Sequence, residues 1–429
     1  MEGLLAKALT IQEKLKEWRR HLHMHPELSF QEAETAKYVE SILRNYKNVK
    51  VEKGVGYPTA IVASIHAGNG PVFAIRADMD ALPIQEENEV DYKSIVPGVM
   101  HACGHDAHTA ILLGAVHLLS EYFEQNQIQG TVKFLFQPAE EHVDEHGLSG
   151  AAYMVRAGVL DDSDGVIALH MNPESPYGEV WIHDGYSMSN VDVFRGEIKA
   201  SGGHGAYPHL GTDPIYMLSL VLQHIYSLTG RRLSPLDAGV VSVGKIQSGA
   251  TSNVIPSSVN IEGTIRSFKP EVRKKLFSEV ENAFSIVKNF GGEYDLQFIQ
   301  EDPALYNDPE INRLLKEVIH SLQPDIDITD KPFGLGGEDF AHMTRKKPGA
   351  MFFLGCSLMD DKVRNLHTPH FNIDERVLPL GAAIFAETAI RFLTRKNAEN
   401  RGGVGCAASQ SNKFGKHENG LIPSLGRHR

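Results

Sequence analysis

The sequence predicts an α/β fold: a mostly parallel sheet flanked by helices, with a smaller ferredoxin-like α+β domain inserted into it. Three observations carry that prediction. Strand-like and helix-like segments alternate between residues 59 and 170, the pattern of a parallel sheet covered on both faces. Between about 187 and 300 the order changes to β-α-β-β-α-β, the ferredoxin-like succession. After 305 the first pattern resumes, so the middle segment reads as an insertion. The expected division is a main domain at 1–186 and 302–396, an inserted domain at 187–301, and a tail at 397–429.

Residues 4–24 place Leu4, Ala8, Ile11, Leu15, Trp18 and Leu22 at the alternating spacing a helix requires. That helix is expected to end at His25-Pro26, because the residue before proline avoids the α region. A second helix follows at about 30–44, then strand-like runs at 59–65 and 72–77, the latter leading into Asp78-Met79-Asp80. A helix is predicted from Thr109, and a strand at 131–136 that stops at Gln137-Pro138-Ala139-Glu140-Glu141. A short helix at 149–157 leads to a strand at 165–169 that ends at His170. In the insertion the strands fall at 191–200, 238–247, 257–267 and 293–299, with helices at 213–229 and 270–289. Helix 309–322, strand 350–354 and an apolar helix at 376–395 complete the main domain. Past Lys396 few large apolar residues remain, and 397–429 is expected to be disordered.

Composition narrows the function. The 429 residues are 42% hydrophobic and 22% charged, ordinary for a globular protein. A net charge of −12, with no basic run, argues against nucleic acid as a partner. The opening residues read as a charged helix and not as a hydrophobic signal region, so none is expected, and no apolar stretch reads as a membrane span. Three widely spaced cysteines, Cys103, Cys356 and Cys406, do not form a disulfide scaffold. A cytoplasmic protein without membrane or nucleic-acid partners is expected.

The chemistry concentrates at residues 101–108, His-Ala-Cys-Gly-His-Asp-Ala-His. Cys103 and His105 are one residue apart, so both can reach a single point. Thiolate with imidazole suits zinc, cobalt or manganese and not calcium or magnesium. Asp78 and Asp80, Glu140 and Glu141, and His170 are each expected at the C-terminal end of a strand, the edge where open α/β sheets bind ligands.

These stretches together resemble the two-metal aminoacylase/carboxypeptidase superfamily. The nearest likeness is to its amidohydrolase branch of N-acyl-amino-acid, hippurate and indole-acetyl-amino-acid hydrolases. The carrying motifs are Trp18-Arg-Arg-His-Leu-His-Met-His-Pro-Glu-Leu, Arg76-Ala-Asp-Met-Asp-Ala-Leu-Pro, the 101–108 cluster and Phe136-Gln-Pro-Ala-Glu-Glu. Gly202-Gly-His-Gly-Ala-Tyr-Pro-His, Asn253-Val-Ile-Pro, Gly263-Thr-Ile-Arg, Gly336-Gly-Glu-Asp-Phe and His367-Thr-Pro-His-Phe follow in order. The likeness spans about residues 11 to 395.

The resemblance implies a zinc-peptidase-like catalytic domain with an inserted lid and dimerisation domain. It implies two divalent ions per subunit, zinc first, with manganese, cobalt or nickel as alternatives. Their ligands would be Cys103, His105, Glu141, His170 and His367, with Cys103 bridging. Asp80 would orient a ligand imidazole, although an Asp at a strand end can also simply cap it. Glu140 would be the general base for metal-activated hydroxide attack, and His204, often supplied by the neighbouring subunit, would stabilise the oxyanion. Asn253 and Arg266 would hold the substrate carboxylate. His108, His209 and His370 read as supporting residues, and Gly336, Gly337 and Glu338 as the pocket floor. The segment His142-Val-Asp-Glu-His-Gly-Leu-Ser is longer and more polar than the family's usual glycine turn, and Met171-Asn172-Pro173 is a small departure.

The implied activity is amide hydrolysis of N-acyl-L-amino acids, with removal of C-terminal amino acids from short or blocked peptides as the alternative. The implied assembly is a homodimer or larger homo-oligomer. Two readings from other classes are a hydrolase using Cys103 as nucleophile, which would survive chelation, and an inactive amino-acid-binding homologue.

Overall fold

The computed structural model describes residues 3–407. Its centre is an eight-stranded sheet. The spatial order is Val49–Lys53, Ile61–Ala67, Gly130–Gln137, Val72–Asp78, Gly165–Pro176, Gly349–Ser357, Glu179–Trp181 and Asp327–Thr329. The middle of the sheet is parallel: Val72–Asp78 pairs with Gly130–Gln137 on one side and Gly165–Pro176 on the other, and Gly349–Ser357 extends the run. The first strands pair antiparallel, which makes the sheet mixed at its margins.

Val72–Asp78 is where the strand order reverses. The chain leaves it through the helix His105–Gln125 to one neighbour, then through the helix Gly150–Arg156 to the other. A crevice forms at the carboxyl edge of a sheet at such a reversal.

Burial explains why these strands sit centrally. Phe73, Ala74, Ile75 and Ala77 are buried, as are Phe134, Leu135 and Phe136, so both faces of the sheet must be covered. One face packs against Gln12–Met24, His105–Gln125, Pro309–Leu322 and the long helix beginning at Val377. The other packs against Gly150–Arg156 and Ala341–Lys346. Helix His105–Gln125 is apolar on nearly every side because it lies in the core, beneath both Gln12–Met24 and the final helix.

A second, four-stranded antiparallel sheet has the order Gly239–Ser248, Ser258–Ser267, Asp192–Lys199, Glu293–Gln300. Its helices, Pro214–Arg231 and Pro270–Ser285, pack on it around Phe194, Val221, Ile261, Leu276 and Phe284. A small ladder of Gly185–Met188 with Leu305–Asn307 stands where the chain passes into and out of this region.

Several elements differ from the sequence expectation. The first helix is two, Leu4–Thr10 and Gln12–Met24, because Ile11 leaves the helical region between them. The strand carrying His170 does not end there; it continues to Pro176, since Met171 and Asn172 keep pairing with Leu354 and Gly355. His170 therefore projects from mid-strand. The helix placed at 376–395 starts at Val377 and runs to Ala407, so the tail expected to be disordered from 397 begins as helix. Residues 408–429 of that tail lie outside the described residues. That helix is also long and apolar enough over Val377–Asn400 to cross a membrane by composition, contrary to the sequence reading. With 83% of its apolar window buried inside the protein, it is a core helix.

Candidate metal centre

Cys103 lies in the turn before helix His105–Gln125, and His105 is the first residue of that helix. Gly104 between them takes φ +95°, and a Cβ there would meet Met171 Cγ at 2.9 Å. Only glycine satisfies both conditions, so the tight reversal that sets thiol and imidazole side by side depends on it.

The donors converge from four places in the chain. Ligand-type atoms of Cys103, His105 and His170 lie mutually within 4.8 Å, and so do those of Cys103, Glu141 and His367. Cys103 is common to both triads. A further group joins His105 to Glu140 and Glu141. The five expected ligands are thus brought together, with Glu140 at their edge: its Oε2 is 4.0 Å from His105 Nε2.

Hydrogen bonds set which imidazole nitrogen faces the cluster. His105 Nδ1–H donates to the Asp80 carbonyl at 2.9 Å and to Asp80 Oδ1 at 3.1 Å. Both partners only accept, so a proton sits on Nδ1 and Nε2 faces inward, where it takes either a second proton or a metal ion. His170 repeats the device: Nδ1–H donates to the Met171 carbonyl at 2.8 Å, and Nε2 faces Cys103 Sγ at 3.4 Å. His108 is different. It accepts the Met171 N–H at Nε2 and donates from Nδ1 to Asp78 at 2.6 Å, which leaves it no free lone pair.

Asp80 also serves the candidate ligand on the opposite side. Its Oδ2 accepts the Glu141 N–H at 3.0 Å and the Ser29 hydroxyl at 2.7 Å. One carboxylate therefore ties the His105 imidazole to the turn that carries Glu141. His367 Nε2 lies 3.2 Å from Glu141 Oε1, and the residue is held at φ +60° with its N–H on the Ala102 carbonyl. A non-glycine residue in that region is disfavoured and persists where its surroundings over-determine it.

The electrostatics call for positive charge. His105 Nε2 and Glu141 Oε1 are buried without a hydrogen-bond partner, 3.9 Å apart. Burial would depress the His105 pKa, yet Asp78, Asp80 and Glu141 overcome it and push it up to about 10. Burial, with Glu141, Glu140 and Asp78 nearby, holds the Cys103 thiol well above its ordinary range. A free thiolate nucleophile is poorly served there, whereas divalent cations would satisfy the orphaned atoms and the excess of carboxylate together. Sulfur, imidazole and carboxylate form a donor set that fits zinc or its first-row neighbours.

Behind the cluster lies a buried knot that sequence reasoning did not assign. Arg76 donates to Asp78 at 2.7 Å, Gln137 at 2.8 Å and Asp339 at 2.8 Å, and Gln137 donates to Asp339 in turn. Glu338 lies 3.1 Å from Arg76, so it belongs to this knot and is not a bare pocket floor. Burial, reinforced by Glu338, Glu141 and Asp339, raises the Glu140 pKa well above that of an exposed carboxylate. The detectable signal was Arg76 itself, a charge in the apolar run Val72-Phe-Ala-Ile-Arg-Ala-Asp. Glu32 and Ser29 gave no signal beyond their place in a loop before a helix.

The remaining expected residues sit elsewhere. His204 and Asn253 line one open groove of about 880 Å³ at the second sheet, and His204 pairs with Val254 in a separate two-stranded ladder. Among the described residues, no hydrogen bond or ion pair joins either one to the ligand cluster. Arg266 donates to the Leu335 carbonyl at 3.1 Å, which ties the second sheet to the Gly336-Gly337-Glu338 segment. His370 is 3.4 Å from Glu87, and His209 lies in a short helical turn after Tyr207.

Comparison with known proteins accords with this geometry. The sequence pattern of peptidase family M20/M25/M40 matches residues 74–391. Thermostable carboxypeptidase 2 of Saccharolobus solfataricus is 37% identical over 389 residues, 88% of this chain and 96% of that protein. N-acetyl-L-cysteine deacetylase of Bacillus subtilis is 37% identical over 397 residues, 90% of this chain and 89% of that protein. The crystal structure of a Bacillus subtilis dinuclear metal-binding peptidase of family M20 superposes with a TM-score of 0.78 at 32% identity, covering 90% of this chain and 99% of that one. The chain belongs to peptidase family M20/M25/M40, and with it is a metal-dependent hydrolase of amide bonds.

Proposed function

We propose that the protein hydrolyses N-acyl-L-amino acids, with two divalent ions, zinc first, held by Cys103, His105, Glu141, His170 and His367. The observation that carries this reading is the pair of donor triads sharing Cys103, with one carboxylate, Glu140, beside them and outside both. When bound, the ions lower the pKa of water and polarise the scissile carbonyl. Glu140 accepts the proton of the attacking water at its carboxylate and later gives it to the departing amine nitrogen. Its buried, carboxylate-rich surroundings support that role, because they raise its pKa above that of an exposed carboxylate and make it a stronger base.

Arg266 grips the carboxylate of the amino-acid half, aided by Asn253, and His204 donates to the oxygen that gains charge. His204 and Asn253 lie apart from the cluster, so closure of residues 187–301 or a second copy of the chain must deliver them. A homodimer is supported by the exposed apolar residues Tyr207, Leu210, Ile215 and Tyr216, and by the edge strand Gly239–Ser248, which is paired on one side only among the described residues. Buried free thiols at Cys103 and Cys356 fit the reducing cytoplasm. Removal of C-terminal amino acids from blocked peptides uses the same carboxylate anchor and is supported by the carboxypeptidase relative.

The test is hydrolysis of N-acetylmethionine, hippurate and a benzyloxycarbonyl-blocked dipeptide. Each is run as purified, after chelation, after adding back zinc, manganese or cobalt, and with Glu140→Gln. Activity should vanish on chelation, return with one metal, and fall by about 10²–10⁴-fold in the variant while its metal content is retained. Turnover indifferent to thorough metal removal would point to Cys103 as nucleophile instead.

A further inference from the structure

Glu32 is fully buried and stands immediately before helix Ala33–Leu43, where an acidic side chain would ordinarily cap the helix. It does not cap this one. Glu27 takes that role, accepting the N–H groups of Glu34 and Thr35. The Glu32 carboxylate turns the other way, toward the turn that carries Glu140 and Glu141. Its Oε1 accepts the Phe30 N–H at 2.8 Å and the Ala139 N–H at 2.9 Å, and its Oε2 accepts the Thr59 hydroxyl at 3.0 Å.

Both backbone donors on that one oxygen are non-glycine residues in the left-handed region, Phe30 at φ +68° and Ala139 at φ +48°. Such residues need outside help to stay there. For Ala139 the other restraint is Gly150, whose N–H reaches the Ala139 carbonyl at 2.8 Å. A Cβ on Gly150 would fall 1.6 Å from the Pro138 oxygen, so the segment packs backbone against backbone. Directly after Ala139 come Glu140 and Glu141, and the left-handed residue sets the direction in which that pair projects.

We propose that Glu32 is a positioning residue for the reaction: its carboxylate clamps Phe30 and Ala139 in their left-handed conformations and thereby aims Glu140 and Glu141 at the metal cluster. This rests on the roles proposed above for Glu140 and Glu141. Glu32 hydrogen-bonds to none of the proposed ligands, so it acts through the backbone it holds, with residue 139 the link to Glu140 and Glu141.

The experiment compares wild type, Glu32→Ala, Glu32→Gln and the double variant Glu32→Ala/Ala139→Gly. Metal-free protein is titrated with cobalt and followed by visible absorption, and kcat and KM are measured on N-acetylmethionine. Glu32→Ala should bind cobalt about tenfold or more weakly, as loss of a group orienting a ligand does. Its kcat should fall about 100-fold with KM nearly unchanged, the mark of a misplaced reacting group. Glu32→Gln should stay close to wild type, because its amide oxygen can accept the same two N–H groups. Ala139→Gly should restore about tenfold or more of the loss in the Ala background, since glycine takes left-handed angles freely.

If Glu32→Ala does not fold, Glu32→Asp, whose carboxylate is one methylene short, is read in the same way with and without Ala139→Gly. Wild-type-like cobalt affinity and kcat in the shortened variant would overturn the proposal. So would a loss that neither Gln nor Ala139→Gly reverses. If the wild type hydrolyses no N-acyl amino acid, the substrate reading fails, and the cobalt arm still decides the role of Glu32.

Discussion

His105 shows how a single side chain is readied to serve as a ligand. Two acceptors on Nδ1 fix the tautomer, and Nε2 is left buried with no partner. The same Asp80 carboxylate also holds the Glu141 backbone, so one side chain steers candidate ligands from a helix start and a distant turn. Asp80→Ala should therefore weaken metal binding by about 10–100-fold. Competition with a chelating dye would measure it, and an unchanged affinity would show that His105 and Glu141 hold their places unaided. At this scale the donor cluster was legible, because density betrays it: Cys103 and His105 lie in one short run, and Glu140-Glu141 follows Gln137-Pro138. Glu32 and Ser29 were not legible. An acid or serine before a helix reads as a cap, and only coordinates show that Glu32 turns away from its own helix.

At the scale of elements, strand and helix existence followed the apolar pattern, and the errors fell at ends. The strand Gly165–Pro176 outran its apolar run because its partner Gly349–Ser357 continued to offer hydrogen bonds, which composition cannot reveal. The final helix is joined to the helix Gln12–Met24 by an ion-pair network just before its start. Glu375 accepts from Arg19 at 3.0 Å and from Arg20 at 3.0 and 2.7 Å, and Arg19 also donates to the buried Asp106. Burial would raise the Glu375 pKa, but the two guanidinium groups outweigh it and hold it below its ordinary 4.5. A carboxylate whose pKa is depressed on folding adds stability above the unfolded value and loses it as pH falls through the folded one. Glu375→Gln should lower the melting temperature at pH 7, and the gap to wild type should close as pH drops below about 4.5. A gap independent of pH would assign the effect to packing alone.

For the whole molecule, the controlling fact is that strand Val72–Asp78 is flanked by strands reached in opposite directions. That reversal gathers Asp80, Cys103, Glu141 and His170 at one crevice although they are scattered through the chain. The alternating pattern made this convergence readable before any coordinate. The placement of His204, Asn253 and Arg266 was not readable, because it depends on how the second sheet sits against the first, and sequence periodicity is silent on that. The most direct measurement for the whole account is the number of cobalt ions bound per chain, by titration with elemental analysis, in wild type and Cys103→Ala. Two ions in wild type, and loss of at least one with weakened hold on the other in the variant, is the predicted result. A single ion at saturation in wild type, or two retained without the Cys103 sulfur, would contradict the shared-donor centre.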